Sequence, residues 1–354
     1  MDTDKLTSCS TASNVVTCSE PSNTVLGYYM VTDTTYVTSV QYIKCNGSAC
    51  AKETPGTNKG IAKLITDDNK VKLCITGDTN DPLPEFKATS TKYMISIATA
   101  NAFSSSNQQD SFALVSITDT SITVSDSSGY YIASPTTNAL ISVKDTEGTL
   151  YNCDANGVCT ATASNDLAAT DVGYYKNTDT TVPYIKCYED ATADPSTYKC
   201  EAIEAPATTV TCGSNTIGQL VKGGKFCLNG SKEAAFETTA NSKKMYQVSY
   251  SANSIFASTV TEEGTYGIVE VTTNSIKLKS TVFKNSACVS TSTLEVTDAS
   301  SCSNGTEQCK GFTASSNFCY YDCVNSTGKN CNKYIYIFFK KTLLKLYFLI
   351  NFNF

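Results

Sequence analysis

The chain has 354 residues with no His, no Trp and no Arg, so all 27 cations are lysines, set against 33 acids for a net charge of −6. The missing imidazole excludes Ser-His-Asp and Cys-His relays and imidazole metal ligands; the missing guanidinium and the acidic balance exclude a nucleic-acid-binding surface. Ser and Thr fill roughly a quarter of the sequence, with 21 Tyr and 17 Cys, and this wealth of Thr, Val, Ile and Tyr predicts an all-β chain.

The segment Met1 to Cys9 has no apolar stretch of signal-peptide type, so a secreted reading takes the N-terminus to be incomplete. Seventeen Cys without His partners or paired CxxC knuckles predict structural disulfides, an oxidising compartment and no bound metal or cofactor. Sequons at Asn46, Asn229, Asn304 and Asn325 fit the same route.

An internal duplication organises the chain. Gly27-Tyr28-Tyr29, then Tyr42-Ile43-Lys44-Cys45 and Cys50, recurs as Gly173-Tyr174-Tyr175, then Tyr184-Ile185-Lys186-Cys187 and Cys200. Downstream, Cys74 aligns with Cys227, and Ser111–Val124 with Thr265–Leu278; upstream, Cys9 and Cys18 align with Cys153 and Cys159. The expected units are residues 1–152 and 153–287, followed by a Cys-rich module or partial repeat over 288–331. A third Gly-Tyr-Tyr, at 129–131, leads into Leu140-Ile141-Ser142-Val143, which reads as a decayed copy without its cysteine. Alternating apolar residues in Ser111–Val124 and Thr265–Leu278 predict half-buried strands, so the fold class is tandem disulfide-stapled β-hairpins and meanders.

Asn46-Gly47 and Asn156-Gly157 sit between close cysteines. Asn-Gly favours a type I′ hairpin turn, and residues flanking such a turn approach to disulfide range. The expected bridges are Cys45–Cys50, Cys153–Cys159 and, by the repeat, Cys187–Cys200 and Cys9–Cys18. Cys212 and Cys227 bracket a strand pair and are expected to bridge, which leaves Cys74 as the unpaired thiol. Asp67-Asp68, Asp78 and Asp81 match no EF-hand spacing and read as solvated turns. Glu262-Glu263 gives no sign of a glycosidase pair, and no catalytic residue is assigned.

Partner-binding candidates are the tyrosines of the repeated motifs, Tyr28, Tyr29, Tyr42, Tyr174, Tyr175 and Tyr184, with Lys44 and Lys186. Tyr offers a large contact area with a polar tip. Strand alternation turns one ring of each Tyr-Tyr pair into the core and leaves the other outward.

From Asn332 to Phe354 the composition changes abruptly to Lys, Asn, Ile, Tyr, Phe and Leu, residues that A- and T-only codons can encode; only Thr342 departs. This tail is expected to stand outside the fold. Lys340, Lys341 and Lys345 interrupt it, leaving no run of the ~20 apolar residues a spanning helix needs.

The unit of Gly-Tyr-Tyr, a Thr/Asp/Asn-rich turn, Tyr-Ile-Lys-Cys and a second Cys resembles the repeat of the scaffoldins of anaerobic gut fungi. The resemblance spans residues 9 to 331 and is strongest at 27–50 and 173–200. It implies a secreted, non-enzymatic cellulosome scaffold whose repeats hold dockerin-bearing plant-cell-wall hydrolases. The alternative is a cell-surface adhesin or wall protein that binds carbohydrate through its tyrosines.

Overall fold

The structure is a computed structural model. It describes residues 8–12, 15–19 and 26–284, excepting 32–38, 47–48, 79, 89–90, 98–110, 126–127, 163–165, 193–196, 250 and 258–264, together with strand pieces at 295–296, 313–314 and 317–318. Otherwise the Cys-rich stretch 288–331, the tail 332–354 and Glu262-Glu263 lie outside the described residues.

The described chain is antiparallel β with no α-helix. A hairpin of β1 (Ser8–Ala12) and β2 (Val15–Ser19) precedes a first strand set: β3 (Gly27–Val31), β4 (Gln41–Cys45), β5 (Cys50–Glu53), β6 (Leu64–Asp67), β7 (Lys70–Leu73), β8 (Thr91–Ser96), β9 (Ser111–Ile117) and β10 (Ser121–Val124). A connecting meander follows, of β11 (Gly129–Ala133), β12 (Thr146–Cys153) and β13 (Val158–Thr162). The second set is β14 (Gly173–Lys176), β15 (Tyr184–Asp190), β16 (Thr197–Ile203), β17 (Leu220–Val221), β18 (Lys225–Asn229), β19 (Lys232–Ala234), β20 (Lys244–Ser249), β21 (Thr265–Val271) and β22 (Ser275–Lys284). One sheet runs β20-β21-β22-β14-β15-β16-β12-β13-β9-β10-β3-β4-β5, with β8 on β9 and β11 on β12.

The two sets share strand order and register. Gly27 faces Cys45 and Tyr28 faces Lys44, as Gly173 faces Cys187 and Tyr174 faces Lys186. Tyr28 pairs with Ile122 and Tyr174 with Ile276 on the other edge. Cys74 donates its N–H to Lys63 O (2.8 Å) and its O accepts from Ala62 N (3.1 Å); Cys227 does the same with Gln219 O (2.9 Å) and Gly218 N (2.8 Å). The expected boundary at 152/153 falls inside β12, through which the sheet continues.

Among the described residues four disulfides are formed: Cys45–Cys50, Cys153–Cys159, Cys187–Cys200 and Cys212–Cys227. Cys74 is free and buried. The backbone register sets Cys9 directly opposite Cys18; their side chains lie outside the described residues.

The structure corrects several sequence expectations. The third Gly-Tyr-Tyr pairs along β12, so Gly129 faces Cys153 and Tyr131 faces Tyr151. Its partner motif is therefore Leu150-Tyr151-Asn152-Cys153, cysteine retained, while Leu140 forms an isolated bridge to Ala133 and donates its N–H to Lys92 O at 3.0 Å. Spacing from the Gly-Tyr-Tyr misled, because a longer loop intervenes. The Asn156-Gly157 turn has positive φ at Gly157 alone (75°), because the Asp154 carboxylate accepts the N–H groups of Asn156 (2.8 Å) and Val158 (3.0 Å) and holds a tighter first bend. A two-residue turn with both φ positive is found at Asp68 (50°) and Asn69 (60°), joining β6 to β7. Asp81 is buried rather than solvated: its carboxylate accepts the N–H groups of Ile75 (2.9 Å), Thr76 (3.0 Å) and Gly77 (2.7 Å) and ties down the loop after Cys74.

In the first set β8 and β9 are covered on both faces. Tyr93, Ile95, Ala113, Val115 and Ile117 face one core, whereas Met94 and Leu114 meet Tyr131, Ala133 and Tyr151 of the connecting meander. A strand buried on both sides loses alternation, which is why Ala113-Leu114-Val115 reads as a continuous apolar run. In the second set Val269 and Val271 are buried and Glu270 between them is not, the alternation expected of a half-buried strand.

Candidate functional site

The repeated motifs place their tyrosines mostly inside. Tyr28 is fully buried and its Oη donates to Ala62 O at 2.8 Å. Tyr174 occupies the equivalent position, 4% exposed and hydrogen-bonded to the Leu220 backbone. Burial pushes both phenols well above their ordinary value.

Tyr175 is also buried, donating to Asp171 O at 2.6 Å with its ring 4.7 Å from that of Tyr130. The outward ring expected of this pair is thus covered by β11. Tyr29 is half-buried, and its Oη is enclosed without a hydrogen-bond partner among the described residues. Tyr42 and Tyr184 are half-buried and pack on Phe86 (5.7 Å between centroids) and Phe236 (6.0 Å, nearly parallel). None of the six is a free, exposed ring.

The two lysines do reach the surface, in unlike surroundings. Lys186 Nζ lies 2.9 Å from Glu201 Oε1 and 4.4 Å from the centroid of the Tyr188 ring, and Tyr188 Oη donates to Glu201 Oε2 at 3.4 Å. Burial, followed by the charges of Glu201 and Glu147, pushes the Tyr188 phenol up to about 12, so it stays a neutral donor. Lys44 sits above the Tyr28 ring at 5.7 Å, but its cross-strand neighbour is Ala51, where Lys186 has Glu201. Desolvation lowers the Lys44 ammonium; Glu53 opposes that and Lys63 adds to it.

Beside Lys186 opens a cleft of about 640 Å³. Tyr174, Leu220 and Ile255 form its buried apolar floor, and Tyr188, Glu189 and Asn253 stand along its rim. Gln219 also lines it, fixed by a 2.6 Å bond from its Nε2 to Asn253 O. The sequence reading missed Tyr188, Glu189, Glu201, Gln219 and Asn253. One signal was available: with Cys187 bridged to Cys200 in an antiparallel pair, residue 186 must face 201. No such rule joins Asn253, which reaches the cleft from a turn.

Among the described residues no group of three or more Cys, Asp or Glu could hold a metal ion, and no helix is long and apolar enough to cross a membrane. No protein-family model, curated protein or solved structure matches the chain.

Proposed function

We propose that the chain is a non-catalytic, extracellular, scaffoldin-like protein whose two strand sets bind dockerin-bearing plant-cell-wall hydrolases. The observation that carries this reading is the equal register of Lys44 and Lys186. Each stands on the strand beside a buried tyrosine and next to a bridged cysteine, on the same face of its set. Two lysines held in one register give two contact points, which raise avidity through effective concentration without new chemistry. Four disulfides suit an oxidising compartment.

The test is binding of a purified gut-fungal dockerin to the immobilised, disulfide-intact chain. Saturable binding is expected, weakened several-fold by Lys44→Ala or Lys186→Ala and abolished by the pair. Dockerin retention no greater than on a scrambled bait overturns the proposal.

A further inference from the structure

The framework around the cleft beside Lys186 recurs on the first strand set, but the side chains it carries differ. Tyr188 follows Cys187 where Asn46 follows Cys45. Glu201 faces Lys186 where Ala51 faces Lys44, and Gln219 accepts the Cys227 N–H where Lys63 accepts that of Cys74. Three side chains that shape the cleft or hold it in place therefore belong to the second set alone.

Their chemistry is selective. Glu201 neutralises Lys186 and also receives the Tyr188 hydroxyl, so the ring is held from two sides before any ligand arrives. With that cation cancelled, Glu189 is the charge left along the rim, and an anionic ligand meets repulsion. What remains is an apolar floor, an aromatic wall and amide, carboxylate and hydroxyl groups from Gln219, Asn253, Glu189 and Ser254. Ligand sites of this size are mostly apolar with a few fixed polar groups. A pyranose presents the matching surface, with C–H faces for an aromatic or apolar wall and a ring of hydroxyls that need both donors and acceptors.

We infer that the cleft between Tyr188, Gln219 and Asn253 binds a short neutral oligosaccharide. The site does not depend on dockerin recognition, since each ligand is measured on the purified chain without the other, and either reading can fail alone.

The test is titration of the full disulfide-intact chain with cellohexaose, xylohexaose and maltohexaose, and with hexagalacturonate as the anionic comparison, by calorimetry and by tyrosine fluorescence. At least one neutral hexaose is expected to bind saturably and at least tenfold more tightly than hexagalacturonate. Tyr188→Ala is expected to weaken it at least tenfold, and Asn253→Ala, on an exposed turn, about fivefold at an unchanged unfolding midpoint. Lys52→Ala, on the far edge of the sheet, leaves it unchanged. Should Tyr188→Ala fail to fold, Asn253→Ala and Gln219→Ala carry the test. No saturable binding by any neutral hexaose, equal binding of hexagalacturonate, or binding that the rim substitutions leave unchanged overturns the inference.

Discussion

Glycine stands at 27 and 173 because β3 and β14 run hard against the strand beside them. A Cβ added at either position would lie 2.3 Å from a backbone carbonyl oxygen, that of Ile122 or Ile276. A backbone atom in a sheet cannot move aside as a flexible side chain would. Gly173→Ala is therefore expected to cost about 1–3 kcal/mol, the range for overpacking a tight site. Gly213→Ala, with nothing within 4 Å of the added Cβ, should be close to neutral. Urea unfolding midpoints of the two variants test the difference; equal midpoints would refute the close approach. Asp81 makes a second case. Its buried carboxylate serves three backbone N–H groups, and Asp81→Ala leaves those donors without their acceptor. A loss of about 3 kcal/mol is expected, since bonds to a charged group are worth more than neutral ones and an unsatisfied buried donor costs its desolvation. Unfolding midpoints measure this too, and a change under about 0.5 kcal/mol, typical of a surface substitution, would refute it.

At the scale of elements, the cysteine pairs were the most legible part of the sequence. Two cysteines of an antiparallel pair fix the register of everything between and beside them, so Cys187–Cys200 alone places Lys186 opposite Glu201 and Tyr188 opposite Lys199. The tyrosine orientations were less legible. Alternation turns one ring of each pair inward without saying which, and it carries no information about what lies on the second face: Tyr28 is buried, and β11 covers Tyr175. The cleft was illegible for the same reason: Asn253 and Gln219 meet Tyr188 only through tertiary packing. Two predictions belong to these hairpins. Replacing Cys212 and Cys227 with Ser frees a loop of sequence separation 15, and removing Cys45 and Cys50 frees one of 5. Loop-closure entropy makes the first loss larger, about 3 kcal/mol against about 2 kcal/mol; the reverse order in thermal unfolding would refute the assignment. In the β15–β16 hairpin, hydrogen bonds from Thr192 and then Lys199 pull the Asp190 carboxyl from 3.8 down to about 2. A carboxyl lowered in the folded state adds stability that is complete above the unfolded value and is lost as pH falls toward the folded one. Asp190→Asn should therefore remove part of the stability decline between about pH 4 and pH 2. Matching wild-type and variant slopes in acid unfolding would rule this out.

For the whole molecule, the decisive region is the joint between the strand sets. Each set has its own core, one around Tyr28 and Val115, the other around Tyr174 and Phe226. They meet through two short ladders, β13 on β9 at Val158–Thr160 and β12 on β16 at Thr146–Gly148, flanked by clusters that include Leu114 with Tyr131 and Ile132 with Tyr175. In repeat architectures, cooperativity rests on such nearest-neighbour interfaces rather than on the units themselves. Gly148 sits at the centre of the joint, opposite Cys200. A Cβ there would approach Ile141 Cδ1 to 2.5 Å, Ala133 O to 2.6 Å and Ile132 Cγ1 to 2.8 Å, all in the clusters that pack the connecting meander against the two sets. Gly148→Ala is expected to weaken the interface by about 1–3 kcal/mol and leave both sets folded. The wild-type chain should unfold in urea in one transition and the variant in two. Buried Cys74 reports the first set through its alkylation, because burial shields the thiol and raises its pKa; hydrogen exchange of β15 reports the second. Separate midpoints for the two probes in the variant, and coincident ones in the wild type, are the expected result. A single transition shifted equally for both probes would mean that the strand sets share one cooperative core, and that the joint at Gly148 is not where the molecule divides.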